Sequence, residues 1–195
     1  MESLAKYNMS FTTGGLLEKE SETLVKAYIQ TKCWKEASEI VKEGNLFQYR
    51  TLVATNRVLS ELKSRFSFLN EDALNLIVSG FSNEAKQIIW LAICQKYTFI
   101  FEFINEVIRE KYILGQFELT NYDFDAFFNK KMLQHQSLEK ITDSSRYKLK
   151  QVLFKMLRDL DMLSDKNFIQ AVIPTANVVN IIRDQSPEYL SIFVN

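Results

Sequence analysis

Between residues 142 and 164 apolar positions recur at intervals of three and four: Leu149, Val152, Leu153, Met156, Leu157, Leu160 and Leu163. That spacing is one apolar stripe of an α-helix. At about 100° per residue, Ser144, Tyr147, Lys148, Gln151, Lys155 and Arg158 point the opposite way. Thr142, Asp143 and Ser144 offer acceptors to the first free N–H groups. The pattern predicts a helix with one dry face and one face of cations and hydrogen-bond donors. A short helix precedes it and a β-prone run, 168–173, follows. That order is winged helix-turn-helix order, with this stretch as the recognition helix. An amphipathic helix with a merely solvated basic face reads the same way.

The N-terminal third predicts three helices after an extended lead-in over 1–15. Thr12, Thr13, Gly14 and Gly15 read as a flexible hinge. They are no phosphate loop, because no Gly-Lys-Ser/Thr follows them. A helix over 16–31 carries Glu18, Glu20 and Glu22 in its first turns, where the helix dipole favours anions. A helix over 34–43 buries Trp34, Ala37, Ile40 and Val41, and Gly44-Asn45 stops it. A third, over 46–66, has Leu52, Thr55, Leu59, Leu62 and Phe66 inside. Arg50, Asn56, Arg57, Ser60 and Ser64 lie on its other side. Two helices joined by a Gly-Asn turn have helix-turn-helix order. Arg, Asn and Ser reach base edges and phosphates. Any helical bundle shows the same order.

Further on, 70–79 is a short helix ended by Gly80. Residues 83–96 and 98–113 are apolar nearly all round, which means burial on several sides. Glu102, Glu106 and Glu110, at spacing four, read as a solvated acidic stripe. Gly115 marks a boundary. Residues 117–119 are strand-like, Thr120-Asn121-Tyr122-Asp123 is a capping-box variant, and a helix runs on to about 133. Ser137 caps a short helix over 138–141. After the amphipathic helix and the β-prone run, Pro174 ends the strand. Residues 175–183 form one more helix, and Ser186-Pro187 starts a last turn.

These elements predict a mainly α fold: a helical bundle with a helix-turn-helix-like N-terminal unit and a winged-helix-like C-terminal unit carrying a small β element. The expected domains are 1–115, with the helix-turn-helix-like unit at about 34–66 and buried central helices at about 83–113, and 116–195.

Composition narrows the function. Apolar residues are 47%, with 15 Phe and 8 Tyr, so there is ample material for a core. Only 2 Pro and 5 Gly suit a helical chain with few tight turns. Two cysteines, Cys33 and Cys94, stand far apart without partner motifs, which suits a reducing cytosol. Glu2 and Lys6 flank no apolar run, so no signal peptide is expected. The longest apolar run, 88–94, is far short of the roughly 20 residues a bilayer needs. Charge balances at 24 against 24, so any affinity for nucleic acid must come from local clusters. The one histidine, His135, has no second imidazole to work with, and zinc-finger spacing is absent. Asp123 and Asp125 lie two apart and point different ways on a helix. The expectation is a cytoplasmic protein that is not an enzyme, with no metal and no cofactor.

Several segments carry a resemblance that covers nearly the whole chain, from Asn8 to about Val194. They are YNMSFTTGGLL at 7–17, IWLAICQKY at 89–97, Arg109-Glu110-Lys111, DFDAFFNK at 123–130, and 138–163, above all KLKQVLFKMLR at 148–158. In these the chain resembles the BrxA family of BREX phage-defence systems. That family has been labelled a putative inner-membrane protein, a label the hydropathy does not support. It is similar to small, mostly helical DNA-binding proteins with helix-turn-helix-like units, and works beside a methyltransferase, an ATPase and a phosphatase-like protein. Thr98 stands where the family's Tyr-Pro-Phe pattern has proline, so the bend between the central helices is made without it. The resemblance implies DNA binding or assembly rather than catalysis. Double-stranded DNA is then the expected partner, with other BREX proteins beside it and no membrane. Contact runs through Arg50, Asn56, Arg57, Ser144, Tyr147, Lys148, Gln151, Lys155 and Arg158, largely to the backbone and with weak sequence preference. The alternative is a scaffold that touches other defence proteins and not DNA.

Overall fold

The structure is a computed structural model, and it describes residues 7–194. Residues 1–6, where the lead-in begins and where Glu2 and Lys6 stand, lie outside the described residues. The helices are α1 (Glu18–Thr31), α2 (Trp34–Glu43), α3 (Leu52–Phe66), α4 (Glu71–Ser79), α5 (Ser82–Lys96), α6 (Thr98–Phe103), α7 (Arg109–Ile113), α8 (Asn121–Met132), α9 (Asp143–Asp159) and α10 (Ala176–Gln185). A π-helical turn, Ile104–Ile108, joins α6 to α7, and 3-10 turns cover Gln136–Lys140 and Pro187–Ile192.

Contacts divide the chain into two units, each assembled from separated stretches. One holds Leu16–Lys96 with Pro174–Leu190; the other holds Tyr97–Ile173 with the lead-in up to Gly15 and the last residues from Ser191. The sequence pattern predicts a domain boundary at 115, whereas 98–113 belongs to the unit that holds Tyr97–Ile173. The reason is aromatic packing. Phe99 meets Phe124, Phe127 and Phe128 of α8 at centroid distances of 6.1, 5.1 and 5.8 Å. Phe103 meets Phe124 and Phe127 at 5.9 and 5.3 Å. Such pairs add to the burial of their large faces.

In the first unit α5 is the central element. Ile88 to Cys94 are fully buried, as the all-round apolar pattern requires. α1, α3, α4 and α10 pack against it. Trp34 stacks on Tyr28 at 3.9 Å. Arg65 is buried because Glu61 takes its Nε–H at 2.7 Å and the Leu16 carbonyl takes an Nη1–H at 3.3 Å. Lys96 holds the second Glu61 oxygen at 2.8 Å.

The expected helix-turn-helix turn is not formed as read. Residues 44–51 make a longer irregular connection in which Asn45 and Gln48 take positive φ (44° and 55°). Gly44 stays right-handed (φ −79°), so of the Gly-Asn pair only Asn45 is left-handed. Phe47 is buried and Tyr49 donates to Glu20 at 2.6 Å, which pins the connection down. Thr51 caps α3 by accepting from the Ala54 N–H at 3.2 Å. The helix therefore starts at Leu52, leaves Arg50 outside it, and exposes Leu52 instead of burying it.

In the second unit the lead-in is packed. Phe11 is fully buried and Tyr7 nearly so. The capping box at Thr120 is present: Thr120 Oγ1 accepts from the Asp123 N–H at 3.3 Å and Asp123 accepts from the Thr120 N–H at 2.7 Å. The short helix after α8 is a 3-10 turn entered from His135, with Ser137 inside it and Leu138 in the core. The β element is reduced to isolated antiparallel bridges, Glu118 to Phe168 and Leu163 to Ile169, with no continuous strand among the described residues. Positive φ at Asp161 and Asn167 (63° and 61°) interrupts any longer ladder. No single helix of the described residues is long and apolar enough to cross a membrane.

Candidate nucleic-acid interface

α9 forms for the reasons its pattern gives. Thr142 caps it by accepting from the Ser145 N–H at 3.3 Å. Leu149, Val152, Leu153, Met156, Leu157 and Leu160 are buried, and Phe154 joins them. The helix ends at Asp159, so Leu163 is buried beyond it rather than on its stripe. Ser144, Tyr147, Lys148, Gln151 and Lys155 are all exposed, and Arg158 is half-buried.

The cations of this helix divide by what they already hold. Arg146 gives Nε to Asp125 Oδ1 at 3.2 Å, Nη1 to Asn129 Oδ1 at 2.8 Å and Nη2 to the Asp125 carbonyl at 2.8 Å. Its guanidinium also lies 4.5 Å from the Phe128 ring centre. Lys150 reaches the other Asp125 oxygen at 3.1 Å. Asp125, Asp143, Arg146, Tyr147 and Lys150 line a cleft of about 280 Å³. An anion entering it would compete with Asp125 for both cations. Lys155 pairs with Asp159 at 2.9 Å. Arg158 gives an Nη2–H to Asn167 Oδ1 at 2.6 Å. Of the three α9 cations expected to contact DNA, Lys148 alone has no partner among the described residues. Sequence reasoning missed Arg146 and Lys150, since nothing in the chain links position 125 to 146 and 150 before the fold does.

Arg50, Asn56 and Arg57 belong to the other unit. All three are exposed. Asn56 and Arg57 lie on α3, and Arg50 lies on the bend before its cap. The expected pairing of Arg50 and Arg57 along one helix face is therefore absent.

Of the acidic stripe, Glu110 is exposed as expected, whereas Glu102 and Glu106 are half-buried and paired. Glu102 and Glu106 converge on the buried Lys131, at 2.5 and 2.6 Å, and Glu106 also meets Lys130 at 2.9 Å. The Tyr7 hydroxyl donates to Glu102. Burial, the bond to Glu102 and the charges of Glu102 and Glu106 push the Tyr7 hydroxyl far above its ordinary range. Burial works against the Glu106 charge, but Lys131 and Lys130 outweigh it and hold the carboxyl below the ordinary range. Lys131 is raised in turn, its two carboxylates outweighing its burial. His135 packs on the Tyr7 ring at 4.1 Å. Among the described residues no cluster of three or more His, Cys, Asp or Glu is placed to hold a metal ion.

Residues 5–186 match the family model described as BrxA. The chain is 30% identical over 131 residues to the "BREX protein BrxA" of Bacillus cereus, across 67% of this chain and 66% of that one. It is 22% identical over 146 residues to the "BREX protein BrxA" of Escherichia coli, across 75% and 68%. These matches span about two thirds of each relative's length. Among solved structures, the crystal structure of an uncharacterized protein from Magnetospirillum magneticum matches with a TM-score of 0.87 and 17% identity, covering 98% of this chain and 100% of that one. At that identity the likeness shows the fold alone.

Proposed function

The chain belongs to the BrxA family, and on that premise we propose that it is a non-catalytic DNA-binding component of a BREX phage-defence system. It acts in the cytoplasm and reads duplex DNA mainly by its backbone. The observation that carries this reading is the outer face of α9. Ser144, Tyr147, Lys148 and Gln151 are exposed at the N-terminal half of a capped helix whose opposite face is dry. A short helical turn precedes that helix and a hairpin follows it, which supports a winged-helix-like reading. Exposed side chains on a rigid helix can enter a groove without unfolding anything. Gln151 is the one side chain there suited to a bidentate base contact, and one such contact gives weak sequence preference. Electrophoretic shifts with duplex, single-stranded DNA and RNA over a salt series test the reading. Duplex binding that weakens with salt and is reduced by Lys148→Ala with Gln151→Ala is expected. Absence of any duplex binding at low salt overturns it.

One observation favours assembly with other defence proteins as a second reading. α7 buries none of its residues, and Ile113 and Leu114 are each 70% exposed. Leu114 borders a groove of about 310 Å³ whose floor includes Val107, Ala126 and Phe127. Exposed neighbouring apolar residues mark contact surfaces. Leu114→Asp is expected to spare DNA binding and to weaken co-purification with the proteins of the same defence locus. Unchanged co-purification removes this reading.

A further inference from the structure

The sequence makes Arg158 a phosphate contact, but its guanidinium is already engaged. It donates to Asn167 Oδ1 at 2.6 Å. Asn167 occupies the left-handed region, φ 61°, which asparagine tolerates better than most residues. Its N–H closes the turn onto the Ser164 carbonyl at 2.9 Å, and the Ser164 N–H returns to the Phe168 carbonyl at 2.9 Å. Ser164 Oγ also accepts from the Phe168 N–H at 3.0 Å. Residues 165–167 are thus a three-residue hairpin loop ending in a left-handed position. Leu163 and Ile169 bridge below it and are buried, so the base of the hairpin is anchored.

Arg158 projects from the same side of α9 as Lys148, Gln151 and Lys155, opposite the buried stripe. The residue it holds is therefore drawn to that side. From Lys148 to Arg158 the helix rises about 15 Å, comparable to a major-groove width of about 12 Å. A duplex lying on the start of α9 then presents its flanking strand to the hairpin. Lys166, at the tip, is exposed and has no partner among the described residues. Asp165 beside it is exposed too, so the tip has no net charge and its contact depends on orientation.

We propose that Arg158 is a positioning residue: by holding Asn167 it fixes the hairpin 163–169 beside the exposed face of α9, so that Lys166 meets the DNA backbone. This rests on the DNA-binding reading and adds a second contact to it.

Full-length protein is titrated with one labelled duplex over a salt series, as wild type, Lys166→Ala, Asn167→Gly, Arg158→Ala and the Arg158→Ala/Asn167→Gly double variant. Glycine keeps the left-handed turn and removes only the acceptor. Each single change is expected to lower affinity roughly threefold and to make the log–log salt slope shallower by about one. The double variant is expected to be no weaker than either of its single changes, because both break one link. Asp165→Asn is expected to tighten binding. Should Arg158→Ala itself unfold the protein, the two milder changes, Lys166→Ala and Asn167→Gly, still decide the matter. If Asn167→Gly binds like wild type while Arg158→Ala is weakened, Arg158 touches phosphate directly and the inference is wrong. If Lys148→Ala weakens binding while Lys166→Ala leaves the slope unchanged, the hairpin stands off the DNA and only the broader reading survives. If no duplex binds at all, both fall together.

Discussion

The backbone at Gly15 runs so close to α9 that a Cβ added there would stand 2.1 Å from Asp159 Oδ2 and 2.9 Å from Lys155 Nζ. Gly15, at the end of the Thr-Thr-Gly-Gly stretch, is therefore buried and docked on α9, while Gly14 beside it is exposed. Gly15→Ala forces Asp159 aside. Because a side chain rather than backbone has to give, the expected cost is modest, about 1 kcal/mol. The same change in an Asp159→Ala background should cost less, since the shorter of the two clashes is gone and the Lys155 ammonium, at the end of a flexible side chain, can move. Thermal unfolding of the four proteins checks this, and additive losses would mean the crowding lies elsewhere.

Lys131 closes a network with Glu102, Glu106 and, through Glu102, Tyr7. Removing the cation leaves two partly solvated carboxylates facing one another, with Lys130 still on Glu106. Lys131→Met is expected to destabilise by about 2 kcal/mol, less than a fully buried pair because both carboxylates keep some solvent. Glu102→Gln in the same protein should recover part of the loss. Urea midpoints measure both, and a Lys131→Met midpoint equal to wild type would contradict the ion-pair account.

Stability should fall on both sides of neutrality. Asp123 is held below its ordinary range: burial opposes its charge, but Thr120 and Lys111 outweigh that. Glu106 is lowered as well. A carboxyl with a depressed folded pKa stabilises fully above its unfolded value and loses that contribution as pH falls through the folded one. The acid loss should begin below about pH 5. Lys131 is raised, so its contribution holds below the ordinary lysine value and fades as pH climbs through the higher folded value. Asp123→Asn should flatten the acid limb in a series of urea midpoints against pH; an identical limb would assign the effect to other groups.

The salt dependence of DNA binding should move less than a count of α9 cations suggests. Lys155 is paired with Asp159, and Arg158 is bonded to Asn167. Lys148→Ala should make the slope shallower by about one, and Lys155→Ala by less. An equal or larger change for Lys155→Ala would show that its surface ion pair opens on binding.

In the other unit, Arg50→Ala with Arg57→Ala tests whether α3 and the bend before it reach DNA. Lower affinity for every duplex, with an unchanged melting temperature, is the expected outcome. Unchanged affinity would confine the interface to α9 and the hairpin.

Helix existence was legible along nearly the whole chain because periodicity, caps and turn residues act locally. α2, α4 and α9 begin where cap chemistry or spacing places them, and the box at Thr120 forms as its four residues predict. α3 is the exception. Its stripe extends back past Thr51, yet the packing of Phe47 and the bond from Tyr49 to Glu20 hold 44–51 out of the helix. A non-local contact overrode a continuous pattern.

By itself the sequence determined a helical chain, the dry and wet faces of α9, and membership in the family. Those depend on which side chains follow one another at three and four positions, and on motifs readable in one dimension. Tertiary structure decided which charges remain available. Asp125 takes up Arg146 and Lys150, Lys131 draws in Glu102 and Glu106, and Asn167 takes Arg158. It also decided that 98–113 packs with α8, because aromatic faces are matched in space. A cation's spacing along a helix tells where it points and, as for Lys155 and Asp159, which neighbour four residues on can pair with it; only the fold brings Asp125 to Arg146 and Lys150.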